Sequence, residues 1–246
     1  MPVDAAGFRG GDRTEIELPA VQRRVVEALK TAGKRIVFVN FSGAAIALEP
    51  ESLNCEAILQ AWYPGQAGGQ AVAEVLFGDY NPAGKLPLTF YRNLAQIPDF
   101  EDYNMTGRTY RYMKETPLFP FGHGLSYTTF KYGKLKMNDD KIAAGQNLNL
   151  VIPVTNTGSR DGDEVVQVYL KKMDDTEGPV KTLRAFKRVR IPAGKTVEVK
   201  FSLDDTQLEW WDEQSNTMRV CPGNYTVMIG GTSCEKSLLS RAFTIR

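Results

Sequence analysis

Ala61-Trp62-Tyr63-Pro64-Gly65-Gln66, Gly68-Gly69-Gln70-Ala71, Leu76-Phe77-Gly78-Asp79-Tyr80-Asn81-Pro82 and Gly84-Lys85-Leu86-Pro87-Leu88-Thr89-Phe90 make up the stretch whose reading decides the fold. Aromatic, glycine and proline positions crowd there around one short helix-like segment. From Gly69 to Phe77 the apolar residues Val72, Val75 and Leu76 fall on one side, and Gly78 ends the segment. Asn81-Pro82-Ala83-Gly84 reads as a turn. Upstream, Pro19 suits the first turn of a helix along which Val21, Val25, Ala28 and Leu29 recur. Gly33 caps it, and Ile36-Val37-Phe38-Val39 follows, apolar on both faces as a buried parallel strand is. Ala57-Ile58-Leu59-Gln60-Ala61-Trp62 reads the same way. Helix and strand alternating in this order predict part of a parallel α/β sheet.

Downstream the character changes twice. Residues from about 92 to 127 mix proline, aromatic and charged positions without period, as a long connection packed over a surface does. Beyond Thr128 strand signals dominate. Leu148, Leu150, Ile152 and Val154 share one face, although Val151 blurs the alternation. Val197, Val199, Phe201 and Leu203 alternate cleanly with polar residues, and 164–170, 184–191, 224–229 and 239–245 are further candidates. Turn signals at Asn156-Thr157-Gly158, Pro192-Ala193-Gly194 and Pro222-Gly223-Asn224 separate them. Such a series predicts an antiparallel sandwich of immunoglobulin or fibronectin type III architecture.

Composition removes several function classes. The 246 residues carry 30 basic and 29 acidic side chains, a formal net charge of +1, which argues against nucleic-acid and polybasic membrane partners. A hydrophobic content of 42% fits a globular core, and no apolar run approaches the ~20 residues of a membrane-spanning helix. Met1-Pro2-Val3-Asp4 shows no secretory signal. Cys55, Cys221 and Cys234 give neither a disulfide framework nor a metal site, with free buried thiols favoured over a Cys221–Cys234 pair.

The quoted run resembles the carboxy-terminal α/β domain of glycoside hydrolase family 3, the retaining β-glucosidases and β-xylosidases. Gly11-Asp12-Arg13 with Leu18-Pro19, Gln22 and Ala28 is similar to the family's entry into a helix of that domain. Gly107-Arg108-Thr109-Tyr110-Arg111-Tyr112 and Pro117-Leu118-Phe119-Pro120-Phe121-Gly122-His123-Gly124-Leu125-Ser126-Tyr127-Thr128 resemble its link into a fibronectin-like third domain. Asn156-Thr157-Gly158, Asp161-Gly162-Asp163-Glu164-Val165-Val166-Gln167-Val168-Tyr169, Leu183 and Phe186 fit that third domain. The fold class expected is therefore a partial, mostly parallel α/β sandwich domain (1–106), an aromatic-rich linker (107–127) and an all-β fibronectin type III-like sandwich (128–246). The Arg9-Gly10-Gly11-Asp12-Arg13-Thr14 opening looks more like bacterial β-xylosidases or β-glucosidases than exo-glucanases.

The resemblance implies hydrolysis of terminal β-linked glucose or xylose by a carboxylate pair, with no metal or organic cofactor. In the family the nucleophilic aspartate lies on an amino-terminal barrel, and the acid/base glutamate lies shortly before the Gly-Asp-Arg motif. Here only Asp4 precedes Gly11, so the glutamate is expected upstream of Met1 and the chain is expected to be inactive alone. Its expected partners are a β-glycoside or oligosaccharide within the full enzyme, the missing barrel domain, or copies of itself paired through an exposed sheet edge. The compartment expected of the parent is periplasmic or extracellular. A free-standing carbohydrate-binding or protein-interaction module is the competing reading.

Candidate residues carry paired readings. Asp12 and Arg13 either line the substrate-facing edge of the domain or form an ion pair that fixes the loop before the helix; the second is favoured. A catalytic Asp4 is disfavoured by terminal fraying, and Glu15 and Glu17 suit the helix amino terminus. His123, alone between glycines, suits packing better than base catalysis. Trp62, Trp210 and Trp211 could stack on sugars, although core packing is the commoner fate. Gly65 to Gly69 lacks the lysine of a phosphate loop and suits close helix–strand approach. Arg108 and Arg111 are expected to pack on the tyrosines rather than on nucleic acid.

Overall fold

The computed structural model describes residues 15–99 and 101–246, which fall into two compact units. One takes the described residues up to Asp79 with Leu88–Arg108 and Glu115–Phe119, and the other takes Tyr80–Pro87, Thr109–Lys114 and Pro120–Arg246.

In the first unit, α1 (Ala20–Thr31), β1 (Val37–Asn40), α2 (Glu49–Asn54), β2 (Ala57–Gln60) and α3 (Gly68–Phe77) follow one another. Pro19 is the residue that caps α1, its carbonyl accepting from Gln22 and Arg23, and Gly33 ends the helix at φ +69°. Gly78 does the same for α3 at φ +83°. The strands β1 and β2 run parallel, Val37 opposite Ala57 and Asn40 opposite Gln60. Leu18, Ile46 and Leu48 are buried beneath them with Phe38, Ile58 and Leu118 packed alongside.

Two expectations about this half need correction. The β1 run is not buried on both faces, because Val37 is 51% exposed. The apolar series of α1 also points outward: Val21 is 60% and Val25 56% exposed, while Val26 is buried. The cause is the same in both places. Two described strands offer too little sheet for α1 to cover, and its inward side is organised by Arg23 instead. That guanidinium bridges Glu17 Oε2 at 2.6 Å and the buried Glu51 Oε1 at 3.0 Å. The glycines of 65–69 likewise serve a different purpose from the one expected. Gly65 turns the chain at φ +70°, and a side chain on Gly68 would strike the Pro64 ring.

The first helix of the second unit is the one-turn α4 (Thr109–Tyr112). Then come β3 (Phe130–Tyr132), β4 (Lys136–Met137), β5 (Lys141–Ile142), β6 (Leu148–Asn156), β7 (Gly162–Lys172), β8 (Thr182–Ile191) and β9 (Thr196–Leu203). A short helix α5 (Asp205–Leu208) and the hairpin of β10 (Trp210–Asp212) and β11 (Thr217–Arg219) lead to β12 (Gly223–Gly230) and β13 (Leu239–Ile245). One sheet has the order β5-β13-β12-β7-β8. In the other, β9 pairs along one edge of β6 while β3 and β4 share the opposite edge.

Every second residue of β6 points inward. Leu148, Leu150, Ile152 and Val154 are all 0% exposed and meet Val166, Val168, Val227 and Ile229 of the facing sheet in one core. Asp204 caps α5 through a capping box with Gln207. Between Val168 and Tyr169 the pairing of β7 with β8 shifts register, with Arg184 of β8 as the extra residue. Val166, Val168 and Leu170 keep to the core, while Gln167 and Tyr169 are buried on the opposite face of β7. Tyr110 covers Tyr169 edge-on and stacks on Phe121 at 4.3 Å.

Truncating Leu150 to alanine is expected to cost about 2–5 kcal/mol of unfolding free energy. Val151→Ala, on the outer face of the same strand, is expected to cost under about 1 kcal/mol. Urea unfolding followed by tyrosine and tryptophan fluorescence measures both, and equal losses would contradict the assigned faces.

Candidate functional site

The carboxyl ends of parallel strands are where α/β proteins usually place ligand-contacting groups. At those ends of β1 and β2 sit Asn40, Ser42 and Gln60. Asn40 Nδ2 donates to Gln60 Oε1 at 2.6 Å and to Ser42 Oγ at 3.0 Å. Gln60 Nε2 donates to Ser42 Oγ at 3.2 Å, and that hydroxyl donates to the Ala44 carbonyl at 2.9 Å. The cluster thus satisfies itself and locks the two loops together. It contains no titratable group, so it can shape a wall but cannot exchange a proton.

Beside it, Trp62 packs edge-on against the buried Phe90, ring centroids 6.2 Å apart. Its backbone is in the left-handed region at φ 55°, an uncommon place for a bulky residue. Tyr63 is 78% exposed and covers Gly43, where an added Cβ would meet the ring at 2.5 Å.

Two glutamates are the buried carboxylates among the described residues, Glu51 and Glu164. Glu51 is held by Arg23. Glu164, on β7, receives Lys85 Nζ at 3.3 Å and the Tyr132 hydroxyl at 3.1 Å. Burial pushes the Glu164 carboxyl up from its ordinary value, and Lys85 opposes that shift. Lys85 also donates to the Gly124 carbonyl at 3.0 Å. Sequence reasoning quoted Gly84-Lys85 and Asp163-Glu164 as separate motifs. Nothing in their spacing shows that the cation and the anion meet.

The other candidates settle as follows. Asp4, Asp12 and Arg13 lie outside the described residues. Glu17 accepts from Arg23 and so belongs to the α1 clamp. His123 is half-buried, and burial, then Lys85, lowers its pKa, while its carbonyl accepts from Leu86 N at 2.8 Å. Trp210 is buried and donates from Nε1 to Asp175 Oδ2 at 2.6 Å, whereas Trp211 is 51% exposed. All three cysteines are free thiols. Arg108 reaches the carbonyls of Asp99 and Asp102, and the Arg111 guanidinium lies over the Tyr112 ring at 5.6 Å. Among the described residues no group of His, Cys, Asp and Glu is arranged to hold a metal ion.

Residues 4–127 match the glycosyl hydrolase family 3 C-terminal domain, and residues 164–233 match a fibronectin type III-like domain. The chain belongs to glycosyl hydrolase family 3. A xylan 1,4-beta-xylosidase of Xylanibacter ruminicola is 54% identical over 245 residues, which is 100% of this chain and 28% of that protein. A periplasmic beta-glucosidase of Salmonella typhimurium is 39% identical over 91% of the chain and 31% of its own length. A β-glucosidase structure from Erythrobacter marinus superposes with a TM-score of 0.84 at 38% identity, over 96% of this chain and 31% of that one. This family 3 chain therefore spans about a third or less of these relatives.

The Glu164 carboxyl, raised above its ordinary 4.5 in the folded state, gives a pH signature in this family 3 chain. As pH rises past 4.5 the unfolded chain ionises first, so the folded state loses stability until Glu164 itself ionises. Glu164→Gln escapes that loss. Its unfolding free energy relative to the parent is expected to be level below pH 4.5 and to climb through the window above it. Urea titrations across that range measure the difference, and a difference independent of pH would refute the assignment.

Proposed function

We propose that this chain is the carboxy-terminal part of a retaining β-glycosidase that removes terminal β-linked sugars, β-xylosides foremost. What carries the reading is the 54% identity along the whole chain to a xylan 1,4-beta-xylosidase of which it covers 28%. Retention requires two carboxyl groups roughly 5–5.5 Å apart across the glycosidic bond. Glu51 and Glu164 are each neutralised by a cation and serve the fold. The nucleophile and the acid/base are accordingly assigned to polypeptide outside this chain. The described α/β portion contributes shape: the loops fixed by Asn40, Ser42 and Gln60 form part of a wall. No metal or organic cofactor enters this chemistry.

The exposed apolar residues of the first unit support a partner. Val21, Val25 and Leu29 form one stripe along α1, and Leu53 and Phe77 are 77% and 85% exposed. Surfaces of this kind are usually covered. The cover assigned here is the strand- and helix-bearing remainder of the enzyme, with self-association as the outcome when that remainder is absent.

The purified chain is expected to give no turnover of an aryl β-xyloside above buffer. Co-expression with the barrel-bearing polypeptide of the related xylosidase is expected to restore it. Turnover by the chain alone would sink the assignment of the carboxylates. Saturable xylose binding without turnover in either case would point instead to a binding module, with Trp211 as its exposed aromatic face. In light scattering, the chain alone is expected to exceed its 27.4 kDa monomer mass as concentration rises. Val25→Asp with Leu29→Asp should shift it back, and unchanged association would place the contact elsewhere.

A further inference from the structure

We propose that Arg111 and Arg184 form a binding site for an oxyanion, a carboxylate or a sulfate-like group, on the β-sandwich unit. Local structure brings the two together. Val180 N donates to the Arg111 carbonyl at 2.6 Å, and Leu183 N donates to the Tyr110 hydroxyl at 3.2 Å. The two ends of the α4 segment Tyr110-Arg111 are thereby pinned to the start of β8, where Arg184 follows Leu183.

Both guanidiniums lie on aromatic rings instead of carboxylates. Arg184 sits over Trp210 at 5.3 Å and Arg111 over Tyr112 at 5.6 Å. Neither takes part in an ion pair among the described residues. The Nε atoms of both are buried without a hydrogen-bond partner. The acidic groups in the neighbourhood form no ion pair with either arginine, although the Glu209 charge acts favourably on Arg184. Asp175 accepts from Trp210 Nε1 and from Gly178 N at 2.7 Å, and Glu209 gives Arg184 its backbone carbonyl at 2.7 Å. Two like charges therefore stand side by side with spare donors. Burial, then the proximity of Arg111, holds the Arg184 pKa below its ordinary value.

A guanidinium keeps its charge, so this repulsion is relieved by a counter-anion rather than by proton loss. Its planar fork matches a carboxylate or one face of a tetrahedral oxyanion. Both side chains remain partly exposed, which leaves a route for the ion. A uronic acid supplies such a carboxylate on a sugar ring.

Isothermal titration of the full chain with sodium sulfate and, separately, with sodium glucuronate tests this, with chloride holding ionic strength constant. Saturable binding is expected, weakened about tenfold or more in Arg111→Gln and in Arg184→Gln. Arg188→Gln, which removes an exposed cation paired with Asp163, is expected to leave the affinity unchanged. Binding of glucuronate alone identifies a sugar carboxylate as the ligand, and binding of both identifies a general oxyanion site. Arg184→Lys keeps the charge and loses the fork; it should fall between parent and Arg184→Gln, and it serves if the glutamine variant fails to fold. Absence of saturable heat with both anions, or equal affinity in the parent and the Arg111 variant, overturns the proposal.

Discussion

Parallel strands are stable when both faces are covered, because their backbone hydrogen bonds and apolar side chains need dry surroundings on each side. The pair Val37–Asn40 and Ala57–Gln60 meets that condition on one side, where Leu18, Ile46 and Leu48 pack. On the other side Val37 is half exposed, and the α1 stripe faces outward. The order this unit does possess comes from a charge clamp. Arg23 ties α1 to α2 and to the strand-like segment at Glu17, which bridges to Ala47. A carboxylate as buried as Glu51 is tolerated only with its cation in place. Loss of Arg23 therefore does more damage than loss of any one of the outward valines.

The β-sandwich unit has the opposite balance. Its core joins both sheets, and the alternation of β6 fixes which face each strand presents. Residues outside the long strands pack against β7. Lys85 reaches Glu164, Tyr110 covers Tyr169, and Gln167 Nε2 donates to the Gly231 carbonyl at 2.7 Å. Gly122 lies at φ +78° against the Gln167 amide, so a side chain there fails both on backbone conformation and on space. The run Pro117 to Thr128 is thus read by the fold as packing and turn geometry.

How much of this the sequence discloses depends on the length scale of the signal. The long strands β6, β7, β8, β9, β12 and β13 run for seven residues or more, and the expected segments fall inside them. The strands β3, β4, β5, β10 and β11 have two or three residues each, too few for a period to be visible. Helix α1 is legible as a helix from its spacing, but its orientation is not. The spacing of Val21, Val25 and Leu29 records an apolar face and says nothing about whether a partner is present to meet it. The contacts that organise both units, Arg23 with Glu51 and Lys85 with Glu164, join residues 28 and 79 positions apart in sequence. No local pattern encodes such a pairing.

A polar cluster serves either structure or chemistry according to whether its hydrogen-bonding capacity is used up. Asn40, Ser42 and Gln60 donate to one another and to a neighbouring carbonyl. Arg23 divides its donors between two glutamates, and Lys85 divides its own between Glu164 and the Gly124 carbonyl. Closed sets of this kind hold shape and resist exchange with a substrate. The Gly84-Lys85 and Asp163-Glu164 motifs thus meet in a contact that holds shape. Arg111 and Arg184 break the pattern, since their Nε donors are unspent and neither takes part in an ion pair among the described residues. In a nearly neutral chain whose buried carboxylates, Glu51 and Glu164, each meet a cation, an open pair of arginines is the feature that calls for a ligand.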